Sequence, residues 1–190
     1  MCQTPLGGIR ARRHCVRKRG FVRASRLFVF VAVAAACIAP GLFAQPAIAQ
    51  EAVFVVRHAE RLDSSTDSPL SADGQARAAR LAQMLRDARI TTIVASEFKR
   101  TQDTARPLAD LLKLPVQPIA ATDLDGLLTK LRAAGPRGRV LVVSHSDRIP
   151  AILAALGDKQ EVTVASSEYG NLWMVVPGDG KSPLVMRLRY

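Results

Sequence analysis

Beyond residue 49 the chain has two histidines, and each follows an apolar, β-branched run. His58 comes after Val53-Phe54-Val55-Val56 and Arg57; His145 comes after Val140-Leu141-Val142-Val143 and Ser144. Such short apolar runs read as strands buried on both faces. Both imidazoles therefore fall at strand carboxyl ends, the edge where open α/β sheets bind ligands. Imidazole is the side chain most easily poised for proton or nucleophile chemistry near neutral pH. Two equivalent strand ends predict one shared pocket.

Arginines accompany the histidines. Arg57 closes the first run beside His58, and Arg100 opens a helical pattern in Ser96-Glu97-Phe98-Lys99-Arg100-Thr101. A strand buried on both faces has little reason to end on arginine, the plain alternative being a side chain that snorkels to solvent. Guanidinium groups bind phosphoryl oxygens in a two-pronged fork, and helix N-termini add partial positive charge. Two arginines, two histidines and helix starts on one sheet edge predict an oxyanion pocket. Three carboxylates are candidates for proton transfer to a leaving group. Glu97 comes first, because it shares the Arg100 turn; Asp147 is second and Glu60 third, each with an arginine salt bridge as the structural alternative. Thr101 and Asp147 are expected at the substrate. Tyr169 and Trp173 read as packing residues of the last strands, and residues 63–69 as a solvated connection. No Gly-x-Ser-x-Gly elbow is present, which argues against a serine hydrolase.

The elements that must position these groups alternate between strand and helix patterns. Strands are predicted at 53–57, 91–95, 116–118, 139–144, 172–176 and 184–188, the last two paired at one edge. Helices are predicted at about 71–89, 100–113, 124–134 and 149–156. In the first helix Ala78, Leu81, Leu85 and Ala88 form one apolar stripe, and Ser71 is its N-cap. Pro107 should cost the second helix one backbone bond and kink it. The order predicts an α/β fold: a three-layer α/β/α sandwich around a mostly parallel sheet.

Residues 1–49 read as a targeting segment. They hold eight of the 27 basic residues, none of the 16 acids and all three cysteines. An apolar stretch over 27–44 leads to Ala47-Ile48-Ala49, a small-x-small site, so cleavage is expected after Ala49. The expected organisation is a signal peptide over 1–49 and one domain over 50–190, exported and periplasmic. A retained leader would instead anchor it, since the apolar run is just long enough to span a bilayer, although Pro40-Gly41 argues against this. The formal charge of +11 falls to +3 for residues 50–190, which removes the case for nucleic-acid binding. A cysteine-free domain has no disulfide framework, thiol nucleophile or cysteine metal site.

Four segments together resemble the histidine phosphatase superfamily, the phosphoglycerate mutase-like proteins. They are Val55-Val56-Arg57-His58-Ala59-Glu60, Pro69-Leu70-Ser71-Ala72-Asp73-Gly74, Ser96-Glu97-Phe98-Lys99-Arg100-Thr101-Gln102-Asp103-Thr104-Ala105 and Val143-Ser144-His145-Ser146-Asp147. The chain looks like a small exported bacterial member. Its Arg-His-Ala replaces the family's usual Arg-His-Gly, and Asp147-Arg148 stands where many members have Asn-Thr after His-Ser. The resemblance implies that His58 is the nucleophile and that Arg57, Arg100 and His145 bind the phosphoryl group. It also implies a phosphohistidine intermediate and no metal or cofactor, with cationic side chains supplying the charge.

The expected activity is hydrolysis of a small phosphomonoester. A phosphohistidine phosphatase and a non-catalytic phosphoryl-binding module are the alternatives. A metal-dependent hydrolase using His58, Glu60, Asp63, His145 and Asp147 is disfavoured, because their spacing matches no metal motif.

Overall fold

A computed structural model describes residues 50–178 and 181–190. The segment read as a leader, residues 1–49, lies outside the described residues. Four strands run parallel: β1 (Ala52–Arg57), β2 (Thr92–Ser96), β3 (Val116–Ile119) and β4 (Arg139–Ser144). Two more, β5 (Asn171–Val176) and β6 (Leu184–Arg189), add an antiparallel pair, giving the order β3-β2-β4-β1-β5-β6.

Side chains alternate between faces along each strand, and this alternation builds two cores. Phe54 and Val56 of β1 pack with Leu81 and Leu85 of α1 (Ala72–Leu85) and Leu108 of α2 (Lys99–Leu112). Val53 and Val55 pack on the other face with Leu127 and Leu131 of α3 (Leu124–Ala133) and Ile152 and Leu153 of α4 (Ile149–Ala155). This is the expected three-layer sandwich around a mostly parallel sheet.

Local chemistry sets the element ends. The Ser71 hydroxyl accepts from Gly74 N at 3.1 Å and caps α1. Gly74 sits against the loop after β1, where an added Cβ would lie 2.3 Å from Glu60 O. α1 stops at Leu85 rather than near residue 89, and Arg89 adopts φ +54° on the way into β2. α2 runs through Pro107 as one element and has no side-chain cap of its own. Asp67, across the loop after β1, supplies one, accepting from Lys99 N at 2.8 Å.

Register places the site. Arg57 of β1 pairs with Ser144 of β4, so the next residues, His58 and His145, emerge side by side. His58 N donates to Ser144 O at 2.9 Å and holds the two strand ends together. Ala95 of β2 pairs with Val143, which brings Ser96 level with the same edge.

Candidate active site

One open pocket at the carboxyl edge of the sheet, about 410 Å³ in volume, collects most of the residues the sequence pointed to. Arg57 and His58 come from the end of β1, Glu97 from the β2–α2 turn, Arg100 from the first turn of α2, and His145 and Asp147 from the turn after β4. The two imidazole centroids are 5.3 Å apart. Both rings are buried, and burial is the main reason their pKa values lie far below the ordinary value. His58 is pushed down to about 3, with Arg57, His145 and Arg100 adding to the effect of burial. His145 is pushed down to about 4, by burial and then by Arg100, while Asp147 and Glu97 partly offset this.

Hydrogen bonds assign the ring nitrogens. His58 Nδ1 lies 2.7 Å from Ala59 O. A carbonyl only accepts, so Nδ1 carries the proton and Nε2 keeps its lone pair. His145 Nε2 lies 2.8 Å from Ser96 Oγ, which lies 2.8 Å from Thr101 Oγ1. Thr101 has one hydroxyl proton, and it points at carbonyls: Phe98 O at 2.6 Å and Ser96 O at 3.0 Å. Ser96 must then donate to Thr101 and accept from His145, so His145 carries its proton on Nε2. The free nitrogen of His145 is therefore Nδ1, the opposite of His58.

The two arginines are held differently. Arg57 Nη1 donates to the carbonyls of Ala165, Ser166 and Glu168 at 3.1, 2.8 and 3.0 Å. Its Nη2 reaches Tyr169 Oη at 3.3 Å, and its Cζ sits 4.1 Å from the Tyr169 ring centroid. Arg100 has one anchor, Nη1 to Thr66 O at 2.7 Å, with its Cζ 4.3 Å from the Phe98 ring centroid. In each case Nη2 keeps an N–H uncommitted to protein, the donor an anionic oxygen requires.

Several expectations are corrected. Thr101, expected at the substrate, is fully buried beneath the pocket, where it anchors Ser96. Glu60, the third acid candidate, is locked in a forked ion pair with Arg77 at 2.6–2.9 Å, outside the pocket lining. Residues 63–69 are more than a solvated connection, because Thr66 and Asp67 fasten the start of α2. Tyr169 packs on Arg57 and lies 6.2 Å from His58, ring to ring, so it belongs to the site's support. The sequence reading also missed Arg61 and Arg148, which line the pocket, and Ser96. Ser96 was legible as a polar residue ending a buried strand; Arg61 and Tyr169 carried no local signal. Among the described residues, no three of His, Cys, Asp and Glu assemble as a metal-ligand set.

Residues 53–124 match the family model of the histidine phosphatase superfamily (branch 1). Over this stretch, which holds β1 through the start of α3, the chain is similar to that superfamily. Its members are phosphatases or mutases. The protein named Probable phosphoglycerate mutase GpmB from Enterobacter sp. (strain 638) is 43% identical over 65 residues, 30% of each chain. Its namesake from Yersinia enterocolitica is 41% identical over 71 residues, 34% of this chain and 33% of the relative. The matched stretch thus spans about a third of these curated relatives. The superfamily match contains Arg57, His58 and Arg100 but ends before His145, which the fold alone brings alongside. Among solved structures, the protein histidine phosphatase SixA with tungstate aligns at TM-score 0.58 and 23% identity, covering 73% of this chain and 96% of SixA. Mycobacterial glucosyl-3-phosphoglycerate phosphatase with inorganic phosphate aligns at 0.58 and 18%, covering 74% and 96%. At these identities both likenesses bear on the fold.

Proposed function

We propose that this chain is a histidine phosphatase superfamily member that hydrolyses a small phosphomonoester through a phosphohistidine on His58, with no metal. The observation that carries this reading is the His58 tautomer. A backbone carbonyl ties up Nδ1, so an uncharged Nε2 is left as nucleophile beside two arginines.

In the first step the Nε2 lone pair forms a bond to phosphorus while the ester P–O bond breaks. The departing oxygen takes a proton from a carboxylic acid, for which Glu97 and then Asp147 are the candidates lining the pocket. In the second step water forms the new P–O bond as the N–P bond breaks, and its proton returns to the carboxylate. Arg57 and Arg100 hold the phosphoryl oxygens, whose negative charge fixed donors stabilise throughout, and His145 joins them as a donor once its Nδ1 takes a proton beside the bound anion. The 2.8 Å contact between Glu97 Oε2 and Ala121 N orients that carboxylate at the rim.

Export to the periplasm belongs to the same proposal and rests on the basic, apolar and small-residue order of residues 1–49. Purified protein should hydrolyse 4-nitrophenyl phosphate equally with and without EDTA, and vanadate should inhibit it. Activity lost to EDTA and indifferent to vanadate would refute the reading.

A further inference from the structure

A second cavity, about 270 Å³, opens beside the phosphate-sized pocket on the same sheet edge. It lies where α3 and α4 begin. Val94 and Val142 form its floor, and Leu124, Leu127, Ala151 and Ile152 its walls. These side chains, Ala151 apart, belong to the core cluster of that face, so the hollow is an unfilled part of the apolar layer. Ala121, Thr122 and Arg148 line both spaces, which makes the two neighbours. Ser96 and Ser144 also line the cavity, and each directly precedes a residue of the phosphate pocket. The polar pocket holds charge near His58, and a mainly aliphatic hollow, with Asp123 and Thr122 among its lining residues, adjoins it.

We propose that this cavity is the subsite for the leaving group, and that the substrate class is the phosphate monoester of a compact apolar alcohol, aromatic or branched. The proposal rests on the phosphohydrolase reading of the His58 site. A hollow with aliphatic walls takes up small aromatic molecules in preference to water. Its volume is near the low end of ligand pockets, roughly 300 Å³, which excludes a long lipid chain or a nucleotide from full burial. Arg148 stands at the junction, its Nε 3.2 Å from an Asp147 carboxylate oxygen. Ala121 and Thr122 share that junction.

Binding of two phosphonates, which cannot be hydrolysed, tests the proposal by calorimetry. Benzylphosphonate should bind the protein about tenfold or more tightly than methylphosphonate, because only the benzyl group has apolar surface to bury. Ala151→Phe places a ring at the exposed cavity wall, away from the phosphate pocket. It should erase the benzyl advantage while leaving methylphosphonate binding unchanged, which also shows that the fold is intact. Equal affinities in the wild type, or an advantage that survives Ala151→Phe, would overturn the proposal. Benzyl phosphate turnover is measured separately. A benzyl preference with hydrolysis of neither benzyl phosphate nor 4-nitrophenyl phosphate would support the cavity and refute the phosphohydrolase reading.

Discussion

His58 and His145 hold the same position on adjacent parallel strands, yet their rings are committed in opposite senses. His58 gives its Nδ1 proton to a backbone carbonyl, and three cationic or imidazole neighbours oppose any further charge. His145 spends its Nε2 proton on the Ser96–Thr101 chain, and two carboxylates, Asp147 and Glu97, favour charge on its ring. Strand register brings the rings together; the local partner decides what each can do. One is kept as a neutral nucleophile, and the other can become a cation beside a phosphoryl group.

Substitution separates the two rings most sharply. His58→Ala should remove turnover by at least roughly 10³-fold, as loss of a nucleophile does. His145→Asn should cost about 10²–10³, the scale for losing one transition-state donor. Steady-state kinetics with folding checked by circular dichroism reads both, and equal residual activity would erase the distinction.

Acid should act on the two rings in sequence. Imidazole resonances followed by NMR should show neither ring taking a proton between pH 8 and 5, with His145 protonating near 4 and His58 near 3. In the unfolded chain both titrate near 6.5. The unfolded state therefore binds more protons between about 6.5 and 3, and stability falls as pH drops through that window and is level above it. Denaturation midpoints at pH 7.5, 6 and 4.5 check this. A ring titrating near 6.5 in the folded protein would contradict the burial account.

The carboxylates offer a finer contrast. Glu97→Gln should slow esters of alkyl alcohols by about 10²-fold, while 4-nitrophenyl phosphate, whose leaving group needs no acid, is nearly unaffected. Equal slowing would transfer the role to Asp147. Glu60→Gln should matter least. Breaking its partly exposed pair with Arg77 should lower stability by about 1 kcal/mol in denaturant titrations and leave kcat within about twofold.

Strand and helix order was legible because each apolar run and each stripe is local. The paired edge of β5 and β6 also followed from two adjacent strand-like runs. The rings of His58 and His145 were legible as neighbours because strand ends in a parallel sheet share one edge. Thr101 was misplaced because a threonine in a first helical turn can face either the ligand or the strand before it. Only the 2.8 Å contact to Ser96 decides. Tyr169 and the carbonyls of Ala165, Ser166 and Glu168 were illegible as partners of Arg57, more than a hundred residues away. Main-chain acceptors leave no mark in residue type. Glu60 misled for a related reason: its arginine partner, Arg77, sits on the next helix rather than in the pocket.

Turnover by this route passes through a covalent bond between phosphorus and His58 Nε2. Rapid quenching with a ³²P-labelled ester, in the presence of EDTA, followed by peptide mapping tests it directly. An acid-labile, base-stable label on the peptide containing His58, absent from His58→Ala, is the predicted result. Turnover of the same ester with no label trapped on the wild-type protein, or with an equal label on His58→Ala, would contradict it.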